Sequence, residues 1–468
     1  MKRTFYQWLA GSLLLATAAA ATRPHYGGSL RVETQAAVRS MDPMTAGQGA
    51  MQERLAEMMF ETLVTLDARN MPQPALAIAW QHDSSFKRWQ FQLRPGVRFS
   101  DGQALTAETA VASLALSGAA EGWKARAQAN DSSTVIIEGE SAMPNLLSRL
   151  ALTRHGIAHR GAVGVAGTGP FRMNGQLEGS HFSLTANEEY WAGRPFLDSI
   201  EITTEKPVRE QMVDLELGNA DVTDVDIDQA RHAQQEGRRM AVSSPVELLA
   251  LNFNVNHAAV KDDRTRRALA AAIDRTSIHS VLLQRQGEAS ASLLPQWVSG
   301  TSFLFSTATQ EQAVVPGRKM PPLTLNYKFA DPLDKAVAER IAVNAREAGI
   351  AVQPVGENLS TREGSGDAWL VRVKLESTDP QTALSELAST LGLKDDSGVA
   401  SARTAEQLYR AEQRLLGDAS VVPLAYLPQA TGLSGRVRNW MEGANGKWHL
   451  AEVWLEIGGT ADAEGTRP

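Results

Sequence analysis

His155 and His159 stand four residues apart, the separation at which two imidazoles on one helix face can grip a zinc ion, and DVDID (224–228) has the spacing with which a calcium loop begins. Neither pattern completes its chemistry. Gly156 weakens a helix through the histidine pair, and no glutamate lies between them to act as general base. The acidic run carries Gln229 where a calcium loop turns on glycine and Gln235 where its bidentate glutamate belongs. The 468 residues include no cysteine, so a thiol nucleophile is ruled out, and no GxSxG elbow occurs. GANGK (443–447) is too short for a phosphate loop and lacks the Ser or Thr that would hold magnesium. These residues point away from catalysis, and none of these patterns calls for a metal or a cofactor.

Charged recognition is better served by AWLVRVKLES (368–377). Side chains alternate along a strand, so Arg372, Lys374 and Glu376 share one face and Val371, Val373 and Leu375 the other. Lining a cleft, the charged face would suit anionic or zwitterionic solutes; turned outward it would simply be solvated, the commoner fate of charge. Both readings stand at this level. Tyr190, Trp191 and Trp297 lie in turn-rich segments and could wall a pocket, although for Tyr190 and Trp191 core packing is the favoured role. In GTGPF (167–171) the amides around Thr168 and Gly169 could reach a ligand, or the glycines could be there for the backbone path alone.

Several elements must position these groups. GGSLRVET (27–34) reads as a glycine-led strand broken at MDP (41–43), and 53–64 has Leu55, Met58, Met59 and Leu63 at helical spacing. Trp89, Phe91 and Leu93 alternate as a half-buried strand, followed by a turn at Pro95 and Gly96 and a second strand. A helix over 106–117 has Thr106 as its cap. LALNFNV (249–255) is a strand, and Asp262 or Asp263 caps the helix that follows. Beyond it the chain alternates: strand 323–329, a helix opened by Asp331 and Pro332 and ended by Gly349, strands at 350–355 and 368–377, and a helix over 402–416. Such alternation implies an α/β lobe.

Lys2 and Arg3, an apolar stretch over 9–16 and small residues around Ala18 to Ala21 have the order of a secretory signal peptide, with the mature chain beginning near residue 22. Without a cysteine there is no site for a lipid anchor, so a soluble periplasmic protein is expected. The length exceeds what one core supports, implying at least two domains. The composition, 43% hydrophobic and 21% charged, is that of a globular protein, and losing Lys2 and Arg3 takes the net charge from -7 to -9, which disfavours nucleic acid.

Six segments, in order, resemble the extracytoplasmic solute-binding proteins of the peptide/opine/nickel class. They are FETLVTLDARNMPQPALAIAW with WQFQLRPGVRFSDGQALTAET, GTGPF followed by NEEYWAGRPFLDSI, LALNFNV followed by DDRTRRALAAAIDR, and AERIAVNAREAGIAV with AEQRLLGDASVVPLAY. The resemblance implies an α/β fold of two lobes joined by two crossings, near 252–256 and 423–428, with solute enclosed between them. The first lobe would comprise 22–251 plus 426–468, carrying a small subdomain at about 44–161; the second would comprise 252–425. It implies a monomeric receptor that delivers a peptide-like or other small amine-bearing solute to an ABC permease and its ATPase subunits. A receptor for a metal chelate or oligosaccharide, or a sensor without transport, is the alternative on the same fold. In the family an aspartate within Ala-Asp-Tyr-x-x-Pro binds the solute amine; LESTDP (375–380) matches that position, with Glu376 at the aspartate and Val373 and Ser377 where the family has Trp and Tyr. Trp297, in LLPQW, matches a loop that approaches the cleft in relatives.

Overall fold

The computed structural model describes residues 24–45, 49–120, 123–161, 164–177, 179–300, 302–306, 322–357, 366–394, 398–443 and 445–456. The expected signal peptide, 1–21, lies outside them. One eleven-stranded sheet runs through the molecule. At one end Ser29–Glu33 pairs in parallel with Ser199–Thr203 and with Val222–Val225. At the other, Leu323–Lys328 pairs in parallel with Val352–Glu357 and with Ala368–Lys374. Two long antiparallel strands, Met240–Phe253 and Val421–Leu433, occupy the centre and join the halves.

The apolar residues sort into separate cores around this sheet. One gathers Leu30, Leu55, Ile200, Val222 and Leu455; a second gathers Leu251, Leu325, Ile341 and Leu370; a third packs Leu248, Leu375, Leu384 and Tyr426 on the opposite face of the second half. The architecture is thus two α/β lobes, as expected. A further core, with Phe91, Leu114, Ile137 and Leu150, belongs to a four-stranded antiparallel sheet, Ala77–His82, Arg88–Leu93, Thr134–Gly139 and Ala125–Asp131, backed by the helix Ala107–Ala120. The helix Ala50–Met59 packs in the first-lobe core and not in this smaller unit.

Local signals explain the elements. Trp89, Phe91 and Leu93 are buried at alternate positions of their strand. Asp262 accepts from the Arg264 amide, and Asp331 from those of Leu333 and Asp334, capping two helices where the sequence places their starts. The strand expected after Gly96 is reduced to one bridge, Arg98 to Ala104, because Phe99 N already turns back to Gln103 O at 2.8 Å.

Both central strands contain proline, which is ordinarily confined to edges and bulges. Here Pro245 lies opposite Pro428, and Pro423 opposite Ala250, and the register shifts at Val242/Pro245, Pro245/Glu247 and Leu249/Ala250. The bulges absorb the missing donors. The irregular stretch at 242–247 lies upstream of the expected crossing at 252–256, since Glu247–Phe253 already pairs with Ala368–Lys374.

The buried Glu412 carboxylate pins the buried loop 290–294 of the second lobe. Glu412 accepts from Ser292 Oγ at 2.6 Å and from the amides of Leu293 and Leu294, and burial pushes its pKa up to about 7. A folded-state value above the unfolded one gives stability that is full below about pH 4.5 and is lost as pH rises through 7. Glu412→Gln is therefore expected to match the parent at pH 4 and gain on it by up to about 3 kcal/mol at pH 8 in urea unfolding. A difference that does not change with pH would refute this.

Candidate functional site

A cleft of about 1610 Å³ opens between the lobes. The first lobe contributes Thr34, Gln35, Met51, Arg54, Asp224 and Asp226; the second contributes Asn252, Lys328, Asp331, Asp334, Trp369 and Arg372. Arg149 and Arg154 enter from the smaller unit, and Ser385, Glu386 and Ser389 from the helix Pro380–Leu391. Carboxylates outnumber cations on these walls, with Asp224, Asp226, Glu247, Asp331, Asp334, Glu376 and Glu386 against Arg54, Arg149, Arg154, Lys328 and Arg372.

Of the charged residues that share one face of 368–377, Arg372 and Glu376 border the cleft, and Lys374 pairs with Glu53 of the first lobe. Leu375 is buried in the second-lobe core, and Val371 and Val373 pack partly against that core while also bordering the cleft. Arg372 lines the cleft, held by Asp334 at 2.7 Å and Asp331 at 2.8 Å, with Glu247 at 3.9 Å. Those carboxylates raise its pKa against burial, while burial drives Asp334 up to about 6 despite the guanidinium. Lys374 is buried against Glu53 of the first lobe at 2.7 Å and lies behind the cleft wall. Burial raises the Glu53 pKa, and Lys374 opposes the rise. Glu376 lines the cleft and forms an ion pair with Arg154, whose other nitrogen binds Glu386.

Thr168, Gly169 and Trp297 are placed away from the cleft lining. Thr168 is fully buried and donates to Glu61 at 2.9 Å. Gly169 donates its amide to Met59 O at 3.0 Å, and a Cβ there would come within 2.6 Å of Met58 O. Trp297 donates to Pro245 O at 2.9 Å, so it touches the crossing strand. Tyr190 and Trp191 donate to Glu61 at 2.9 and 2.8 Å. The segments containing Glu61, GTGPF and Tyr190-Trp191 meet at the half-buried Glu61 carboxylate, which is a packing junction.

His155 is buried, with Nδ1 2.9 Å from Ser117 Oγ and its ring against Trp123, while His159 faces Asp101. Among the described residues no group of three metal-ligating side chains comes together. The acidic run is used differently from a calcium loop. Asp224 lies one residue before the end of its strand, accepts from Thr34 Oγ1 at 2.8 Å and the Gln35 amide at 2.7 Å, and with Asp226 is part of the first-lobe wall. Arg154, Glu386, Glu247 and Trp369 carry no local motif, and nothing in the sequence singles them out.

Residues 71–394 match the model of the bacterial extracellular solute-binding proteins, family 5 Middle. The chain is 25% identical over 350 residues to the nickel-binding periplasmic protein of Escherichia coli K12, covering 65% of this chain and 67% of that one. It is 22% identical over 504 residues to the periplasmic oligopeptide-binding protein OppA of Salmonella typhimurium, covering 90% of each. The crystal structure of NikA from Staphylococcus aureus in complex with Ni(L-His)2 superposes with a TM-score of 0.79 at 18% identity, over 92% of this chain and all of that one. No helix among the described residues is long and apolar enough to cross a membrane. With more than half its length matched by the family model, and with two lobes enclosing a cleft, the chain belongs to the bacterial extracellular solute-binding proteins, family 5.

Proposed function

We propose that the chain is the periplasmic receptor of an ABC-type importer, exported by its amino-terminal signal, and that it closes its lobes over a peptide-like or other small amine-bearing solute and presents it to a membrane permease. The observation that carries this reading is the inter-lobe cleft, about 1610 Å³ with carboxylates on both walls. That volume exceeds the roughly 300 to 1,000 Å³ of a pocket for one drug-sized molecule, leaving room for a short peptide or a smaller solute with water. Relatives named for oligopeptides support the class. Solute that touches both lobes stabilises only the closed arrangement, so binding energy becomes a change of shape. We place the lobe boundaries at the bulged positions 243–246 and at Pro428. Glu376 and Glu386 supply the carboxylates for the solute ammonium, exchanging it for Arg154.

The test is a thermal-shift screen of the mature protein against di- to pentapeptides, amino acids, opines, nickel chelates and sugars. A ligand at 100 times its Kd adds about 2.7 kcal/mol of stability. The expected result is a rise selective for amine-bearing solutes that Glu376→Gln abolishes. Stabilisation by sugars or chelates alone would overturn the amine assignment while leaving a solute receptor.

A further inference from the structure

Arg54 is the most enclosed cation on the cleft wall, and it is held there without using all of its hydrogens. It sits on the helix Ala50–Met59 with 5% of its surface exposed, and it lines the cleft. Its guanidinium is fixed on three sides. Nη2 donates to Gln429 Oε1 at 2.7 Å, Nε donates to Gly446 O at 3.4 Å, and the group lies 4.2 Å from the centroid of the Trp448 ring. Glu442, with 8% of its side chain exposed, stands 3.5 Å from Nη2 as counter-ion. Among the described residues, Nη1 and its two hydrogens enter none of these contacts. Burial pushes the Arg54 pKa down, so the charge is held at a cost, and a solute group that reaches Nη1 meets a donor that is already oriented.

The charge around Arg54 decides what that group can be. Four carboxylates act on it: Glu442, Asp224, Glu57 and Glu53. Glu53 has its own cation in Lys374 at 2.7 Å and Glu57 has Lys447 at 3.8 Å, which leaves Arg54 facing Glu442 and Asp224. That patch is negative while Glu442 is ionised, and neutral once Glu442 takes the proton toward which its burial drives it. In neither state is it positive. Asp224 spends Oδ2 on Thr34 and Gln35 and lines the cleft as well. A free solute carboxylate at Nη1 would gain a hydrogen bond but meet these carboxylates as like charge, together with the excess of carboxylates on the cleft walls. An uncharged carbonyl takes the same hydrogen bond without the repulsion. We infer that Arg54 is a specificity residue that donates from Nη1 to a neutral carbonyl, so that the solutes selected are net cations. They join an amine to peptide or carboxamide groups, and are taken over zwitterions that bring a free carboxylate to this wall. The inference rests on the amine-bearing solute of the proposed function and specifies what that solute presents to the first lobe.

The experiment is isothermal titration calorimetry of the mature protein with alanine peptides of roughly two to five residues. Each is offered as the free acid and as the carboxy-terminal amide, at neutral pH and one ionic strength. The shortest peptide that binds should do so roughly fivefold more tightly, or better, as the amide. Arg54→Gln combined with Glu442→Gln removes the cation and its counter-ion together and should weaken the amide by about tenfold or more, the worth of a hydrogen bond from a charged donor. Asp224→Asn keeps an acceptor for Thr34 and Gln35 and should narrow the preference for the amide, a change that a purely structural Arg54 would not produce. Circular dichroism establishes that each variant is folded; if the double variant is not, the parent comparison and Asp224→Asn decide. A free acid bound as tightly as its amide, a folded double variant with the parent affinity, or a preference untouched by Asp224→Asn would each overturn the inference and leave the amine assignment standing. Failure of both forms to bind at every length would instead sink the peptide-like reading itself, and this inference with it.

Discussion

Glu61→Leu is expected to be among the most destabilising single changes available to this protein, with a loss of about 3 kcal/mol or more in urea unfolding. The Glu61 carboxylate accepts from the Thr168 hydroxyl, the Tyr190 hydroxyl and the Trp191 indole, all between 2.8 and 2.9 Å. Removing it leaves the buried Thr168 hydroxyl without its acceptor, at roughly 1 to 3 kcal/mol, and takes the acceptor from the half-buried Tyr190 and Trp191 at a smaller cost each. Part of that is offset because burial already pushes the Glu61 pKa up, so the charge itself is held at a cost. Trp191 would also lose the anchor that presents its ring to Arg94, whose guanidinium lies 4.0 Å from the ring centroid. Glu61→Gln retains one acceptor and should lose distinctly less. A Glu61→Leu protein within 1 kcal/mol of the parent would show that the junction contributes little.

Gly167→Ala should be comparably severe, for a steric reason. A Cβ at Gly167 would lie 1.9 Å from Met59 O and 2.6 Å from Phe60 Cδ1. The obstruction is backbone at the end of a helix, which cannot swing aside as a long side chain does. Overpacking of this kind costs about 3 kcal/mol or more when main chain must shift. Gly164→Ala is not an equivalent control because its backbone is left-handed, with φ 135°, whereas Gly49 has open space around it and no such restriction. Gly49→Ala should therefore be tolerated while Gly167→Ala loses thermal stability. Equal melting temperatures for the two would contradict the close approach. Large losses in both tests would place Thr168 and Gly167 in the framework beneath the cleft.

The parts of the fold legible in the sequence are those with local causes. Asp331 followed by Pro332 marks a helix start because both act within one turn, and the alternation of Trp89, Phe91 and Leu93 marks a strand because burial on one side needs only a period of two. The same period puts Arg372, Lys374 and Glu376 on one face, but which way that face points depends on packing that no short window contains. Arg154 meets Glu376 and Glu386 across 222 and 232 residues of chain, and each is an ordinary charge until the lobes come together. Sequence patterning marks only 249–255 of the first central strand and none of Val421–Leu433. Pro245, Pro423 and Pro428 argue against a long strand, and only their placement at register shifts reconciles them with one.

The position of Val421–Leu433 in the sheet has a consequence for the order in which the protein can be made. This strand sits between Val222–Val225 and Met240–Phe253, so it supplies the middle of a sheet whose other members are synthesised much earlier. Until it emerges, Met240–Phe253 presents an unpaired edge, and the first lobe lacks the carboxy-terminal segment that brings Leu433, Trp448 and Leu455 to its core. The central sheet can therefore be completed only when nearly the whole chain is available, whereas the smaller four-stranded sheet has all its strands within 77–139 and needs nothing from the carboxy-terminal strand.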